Sequence, residues 1–224
     1  NVTAHYLRPM PPITEGRGYA RLGLDEFSLI LDAGRINDLT LGESKVLFSQ
    51  IGQRNKGLAD ITVNLSGELE EILRVIDYKP LEYPKKFGIT PDDVGGRGQA
   101  TLILAFPLLK KISLDDVDFK LKATVDDFAY PSLTESFSLG DGTLTLQATR
   151  SDLFAKGPVS INGVPMQLSW RENFDGRENW TTQYRIRGTV APEQWGSLHM
   201  PFEGYIHDPA ELSVALDGRR GLPE

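Results

Sequence analysis

Cysteine is absent from the 224 residues of the chain. That excludes a disulfide scaffold, a Cys-ligated zinc site and a thiol nucleophile. Histidine is scarce, with only His5, His199 and His207, and none of them stands at the HExxH spacing of a metalloprotease. No GxSxG nucleophile elbow occurs. Long hydrophobic runs are also missing. The longest, "LILAFPLL" from Leu102, has eight residues, against the roughly 20 needed to span a bilayer. Basic runs are missing too. The chain holds 24 Lys and Arg against 31 Asp and Glu, for a net charge of −7. Its basic pairs Lys85-Lys86, Lys110-Lys111 and Arg219-Arg220 are isolated, so nucleic acid is not an expected partner. The first residue is Asn1 rather than Met, so the sequence is expected to be a processed protein or an excised piece, with any anchor outside it.

What the chain does contain is alternation. In "DFKLKATVDDF", Phe119, Leu121, Ala123 and Val125 point one way, and Lys120, Lys122 and Thr124 the other. The same period of two runs through Ala59, Ile61, Val63 and Leu65, through Leu144, Leu146 and Ala148, and through Val164, Met166, Leu168 and Trp170. Tyr184, Ile186 and, past Gly188, Val190 follow it again. This is the pattern of half-buried strands. Gly140-Asp141-Gly142, Lys156-Gly157-Pro158, Asn162-Gly163 and Asp175-Gly176 read as the turns between them. Asn-Gly is the strongest of these, because both central positions of a type I′ turn need positive φ. Roughly ten or more antiparallel strands are expected at this spacing.

One segment has helical spacing instead. "GELEEILRVIDY" from Gly67 places Leu69, Ile72, Leu73 and Ile76 on one face, with acidic residues in the first turns. It is expected to stop before Pro80. "PEQWGSL" from Pro192 is a weaker helical candidate. The proline-containing stretch from Pro80 to Gly96 reads as an extended connection.

A near-repeat organises the whole. "GRGYARLGL" from Gly16 and "GRGQATLIL" from Gly96 match at Gly, Arg, Gly, Ala, Leu and Leu, 80 residues apart. Paired glycines let the backbone turn and neighbouring elements approach closely. They are not a phosphate loop, since the Walker lysine and the third glycine of a dinucleotide fingerprint are missing. The expected organisation is one continuous β segment over residues 1–224. It comprises a first repeat unit of about 9–90, a second of about 91–174, and further strands over 175–216.

Acidic groups at Asp92-Asp93, Asp115-Asp116-Asp118 and Asp126-Asp127 fall at strand ends and turns, where Asp serves local hydrogen bonding. A carboxylate-dependent glycosidase is therefore the third-ranked reading. No catalytic residue, metal ligand or cofactor is assigned.

The alternation makes one apolar sheet face, and period alone leaves two uses for it. It can be the closed core of a β-sandwich, serving as an adhesion or assembly module that binds glycans through Trp170, Trp180 and Trp195. Or it can line an open trough built from repeats.

The stretch from "YKPLEYPKKF" through "GGRGQATLILAFPLLKKISLDDV", then "GPVSINGVPMQLSWRENF", resembles the central region of AsmA-like proteins, in the branch related to YhdP. "MPPITEGRGYARL" from Met10 is similar to the same pattern, so the resemblance covers most of residues 9–174. It implies a long, curved antiparallel sheet, an open trough or U-shaped groove, in the envelope of Gram-negative bacteria. The resemblance also implies an inner-membrane anchor outside this chain and a path through the periplasm. Its cargo would be phospholipids carried toward the outer membrane, with acyl chains, the remaining segments of the same polypeptide and other envelope proteins as partners. The candidate groove residues are then Leu22, Leu24, Ile61, Val63, Leu65, Leu102, Leu104, Phe119, Leu121, Ala123, Val125, Leu144, Leu146, Val164, Met166, Leu168, Trp170, Tyr184 and Ile186.

Overall fold

Strands form where the sequence alternates. The computed structural model of the chain describes residues 2–6, 8–79 and 81–219. In chain order come β1 (Val2–Ala4), β2 (Ile13–Leu22), β3 (Glu26–Ile36), β4 (Leu39–Leu41), β5 (Ser44–Ser49) and β6 (Leu58–Glu68). Helices α1 (Leu69–Ile76) and α2 (Tyr83–Lys86) follow. Then come β7 (Gly95–Pro107), β8 (Asp118–Tyr130), β9 (Leu139–Thr149), β10 (Asp152–Ile161), β11 (Val164–Asn173), β12 (Trp180–Val190) and β13 (Ala210–Arg219). They make one 13-stranded antiparallel sheet, ordered β1-β2-β3-β4-β6-β7-β8-β9-β10-β11-β12-β13, with β5 pairing β3 and β6. The path is open at β1 and β13, so the sheet is not a closed barrel. No helix among the described residues is long and apolar enough to cross a membrane.

The Asn-Gly hairpin forms as expected. Asn162 (φ 49°) and Gly163 (φ 82°) join β10 to β11, with Ile161 opposite Val164. Two other turn signals prove to be irregularities inside strands. Gly140-Asp141-Gly142 lies within β9, with Asp141 at φ 48°. Lys156-Gly157-Pro158 lies within β10, where the pairing with β9 shifts register between Lys156 and Ser160. A Cβ on Gly157 would collide with the carbonyl oxygen of Thr143. These glycines permit close strand approach at a bulge rather than a reversal of the chain.

The two Gly-Arg-Gly motifs use their glycines differently. In β2 the second glycine, Gly18, makes the tighter approach, to the Ile30 carbonyl of β3, while a Cβ on Gly16 would lie 3.2 Å from the Val2 carbonyl oxygen. In β7 it is the first, Gly96 (φ 122°), whose Cβ would lie 2.7 Å from the Asp126 carbonyl oxygen. Gly98 instead meets a helix: a Cβ there would lie 2.5 Å from the Ile72 side chain of α1.

The connection expected to be extended is partly helical. α2 begins with a proline in its first turn, where the missing N–H is no loss. Lys85 in it reaches Asp77 at 3.2 Å. A further 3₁₀ turn spans Pro91–Asp93. Conversely, the helical candidate at Pro192 yields only a 3₁₀ turn, Pro192–Gln194.

Two compact units can be distinguished. The first comprises residues 1–91 and 98–123, the second residues 92–97 and 124–224. In the first, α1 supplies the buried Val75 to a core with Ile36, Leu39 and Leu41, and Ile72, Val63 and Leu65 pack against it. Arg74 pairs with Glu70 and Glu71 on its outer side. In the second, Ile161, Val164, Met166, Val190, Trp195 and Leu198 are buried.

Candidate functional site

Cross-strand register decides which side chains share a face. In the first unit Phe27 stands opposite both Leu22 and Phe48, and Leu29 opposite Ala20 and Val46. Ile61 stands opposite Val46. The Phe27 and Phe48 rings lie 5.8 Å apart. Phe27, Leu29, Val46, Phe48 and Ile61 are all only half-buried. Leu102 and Leu104 of β7, and Phe119, Leu121 and Ala123 of β8, have the same intermediate burial. Full cover exists at one end of the strands, where α1 packs on the core described above.

The second unit follows the same plan. Four strands present the row Ala155, Trp170, Tyr184 and Leu216, and the next row Gly157, Leu168, Ile186 and Val214. Toward the Asn162 hairpin the face is buried, with Val164 at 1% and Met166 at 3% exposure. Past it the face opens in mid-strand, through half-buried Leu168, Trp170 and Ile186 to Tyr184 at 36% and Leu216 at 55%, before β11 is buried again at Glu172. The connection between β12 and β13 meets the sheet at this hairpin. Asn162 ties it down, donating from Nδ2 to the carbonyl of Ser197 at 2.8 Å and to that of Ser136 at 2.9 Å. His199 approaches the same Ser136 carbonyl at 3.1 Å. Trp195 is buried and packs edge-on against Phe202.

The candidate residues therefore separate into three groups. Ile61, Val63, Leu65, Leu102, Leu104, Phe119, Leu121, Ala123, Leu146, Leu168, Trp170 and Ile186 are half-buried, and Tyr184 more open still. Val125, Leu144, Val164 and Met166 are buried. Leu22 ends β2 at 76% exposure, and Leu24 lies in the β2–β3 turn, wholly exposed. Phe27, Leu29, Val46, Phe48, Val214 and Leu216 belong with the half-open set although the sequence reading left them out. Isoleucine on the opposite face of β3, at Ile30, blurs the alternation there.

One polar group interrupts the apolar face of the second unit. Glu172 continues the row Val164, Met166, Leu168, Trp170 by one further step and is buried to 7% exposure. Its Oε1 accepts a hydrogen bond from Trp170 Nε1 at 2.6 Å, and its Oε2 one from Thr182 Oγ1 at 2.7 Å. Burial pushes the carboxyl pKa up, and the two hydrogen bonds only partly oppose that. The Tyr184 hydroxyl is pushed up as well, by burial first and then by the Glu172 charge. The rings of Trp170 and Tyr184 stack, 6.0 Å apart and 16° from parallel. Extending the period of two past Trp170 would have found Glu172.

Elsewhere the second unit has a shallow depression of about 330 Å³ on the opposite, polar face, around Asp141, Ser160, Gln167 and Arg187. Asp141 there accepts the Ser160 hydroxyl at 2.9 Å. Among the described residues no three His, Asp or Glu side chains gather as a metal-binding group. The fold and site thus define a class, an open antiparallel β-sheet protein with a partly covered apolar face. Comparison with family models finds no match, and comparisons with curated proteins and with solved structures find none either.

Proposed function

We propose that this chain is a section of a periplasmic lipid-transfer bridge of the AsmA-like kind, carrying phospholipids between the inner and outer membranes. The observation that carries the reading is the half-burial of apolar side chains in mid-strand, such as Leu29, Val46 and Leu121 in one unit and Leu168 and Ile186 in the other. Fully burying one such side chain stabilises a protein by about 1.5–3 kcal/mol. A sandwich of this size would bury them. Leaving a band of them open forgoes that gain and leaves an apolar strip for a ligand.

Acyl chains suit that strip. Exposing a lipid tail to water costs about 0.8 kcal/mol per CH₂. A floor of Leu, Ile, Val and Phe removes much of this cost at each position along the path, while head groups stay in solvent. The opposite face supports the same reading, since Lys120, Lys122, Thr145, Gln167 and Arg187 on it are exposed to water.

Photo-crosslinking tests the proposal. A benzophenone side chain at Leu121 or Leu168 should yield lipid adducts by mass spectrometry, and one at Lys122 or Gln167 should not. Protein adducts without lipid at Leu121 and Leu168 would favour the assembly-module alternative. Equal lipid labelling on both faces would overturn the groove.

A further inference from the structure

Among the described residues, Glu172 is the one charged side chain in the rows that run from Ile161 and Val164 to Leu153, Glu172 and Thr182 on the apolar face of β10 to β13. The rows on that face otherwise hold Leu, Ala, Gly, Val, Ile, Met, Trp, Tyr and Thr. No cationic side chain of the described residues pairs with it; its partners are the neutral donors Trp170 and Thr182. A buried carboxylate is ordinarily matched by a cation or by enough hydrogen bonds to replace water. Here each oxygen takes one hydrogen bond and keeps acceptor capacity for another.

The surroundings point to what fills that capacity. The Glu172 charge is felt at the hydroxyl of Tyr184, which is the more exposed member of the stacked pair. Aromatic faces attract ammonium groups, most strongly where water is excluded. Along each strand the order is covered end, open apolar band, aromatic pair, then carboxylate with Thr182. An amphiphile lying with its chain on Leu168, Ile186 and Val214 would bring its head to Tyr184 and Glu172. A phosphate alone would be repelled there, whereas an ammonium would be matched in charge.

Resting on the lipid-conduit reading, we infer that Glu172, Thr182, Trp170 and Tyr184 form a head-group station selective for phospholipids bearing a primary ammonium. The apolar band holds the acyl chain, and the carboxylate accepts the ammonium N–H. Tyr184 is the side from which the head group enters.

The test uses the full chain and two short-chain phospholipids with identical acyl chains, one with an ethanolamine head group and one with glycerol. Binding is followed by tryptophan fluorescence. A charge-assisted hydrogen bond in this setting gives the ethanolamine lipid about a tenfold tighter Kd or better. The preference should fall to within about twofold in Glu172→Gln, with folding checked by thermal melting. Glycerophosphoethanolamine, which has the head group without chains, should not compete even in large excess. Equal binding of the two lipids by the wild-type chain would overturn the inference, whatever the variant does. So would a preference that survives in a folded Glu172→Gln, or full competition by the chain-free head group, which would mark a soluble-amine site instead. Binding of neither lipid would instead sink the conduit reading, and the station with it.

Discussion

Thr182 stands directly opposite Glu172 on the neighbouring strand and gives its hydroxyl to that carboxylate at 2.7 Å. The pair fixes the register of β11 against β12 at the point where the apolar face ends. It also holds an acid whose folded-state pKa is raised above the ordinary value of 4.5. A raised carboxyl pKa means that the folded state binds the proton more tightly than the unfolded state. The associated stability is present below about 4.5 and is lost as pH rises through the raised value. The groups facing Glu172 are Leu153 on β10, Trp170 on β11 and Thr182 and Tyr184 on β12. Of these only the Tyr184 hydroxyl titrates, and it does so far higher.

Glu172→Gln therefore carries a pH signature. Its melting temperature relative to wild type should climb as pH rises from about 4.5 through the raised value and then level off. A constant offset lacks the signature and would show that Glu172 titrates as an ordinary surface acid.

Asn162 is predicted to act as the latch of the β12–β13 connection. Its backbone needs positive φ, so Asn162→Gly keeps the hairpin while removing the side chain. The variant loses the two amide donations to Ser136 and Ser197 and the acceptance of the Ser138 N–H at 2.8 Å. Each net hydrogen bond contributes about 0.5–1.5 kcal/mol. Hydrogen exchange should accelerate in residues 134–138 and 191–209 and stay unchanged in β11. Acceleration spread evenly over the sheet would show that the contact is not a local tie.

Glycine substitutions separate close approach from turn geometry. Gly157→Ala drives a methyl group into the Thr143 carbonyl, so a loss of about 3 kcal/mol or more is expected, with failure to fold as the extreme. Gly163 has φ 82° but nothing within 4 Å of a built Cβ. Gly163→Ala should cost only the left-handed strain, roughly 1–2 kcal/mol. Urea melts of the two variants compare them directly. Similar losses would remove the argument that Gly157 marks a bulge.

Gly157 also shows where the sequence was legible and where it was not. The alternation of Phe119, Leu121 and Ala123, and of Val164, Met166, Leu168 and Trp170, assigned the apolar face correctly, because side-chain direction in a strand has a period of two. Asn162-Gly163 announced its hairpin because the turn type demands those residues. Gly140-Asp141-Gly142 and Gly157-Pro158 did not announce bulges, because the same residues serve a turn and a close strand approach equally well. Period also says nothing of cover. Val164 and Leu168 look alike in sequence, yet one lies beneath full cover and the other is half-open. Val164 adjoins the hairpin to which a segment some thirty residues downstream is tied.

The last prediction rests on that difference. Val164 and Leu168 share a strand and a face, four residues apart, so Val164→Asp and Leu168→Asp place the same carboxylate at two depths. At Val164, exposed to only 1%, no water can reach it. An unpaired carboxylate there costs several kcal/mol or stays protonated, a large share of the roughly 5–15 kcal/mol that holds a typical domain. Val164→Asp should fail to fold, or melt far below wild type. At Leu168, half-buried in the open band, the carboxylate can turn to solvent, and the expected loss is about 1 kcal/mol. Ser169→Asp, on the opposite face, controls for the added charge and should melt near wild type. A folded Leu168→Asp that no longer binds acyl chains would support the conduit. If Leu168→Asp unfolds as completely as Val164→Asp, the band is closed core, and an open apolar path over β11 is refuted.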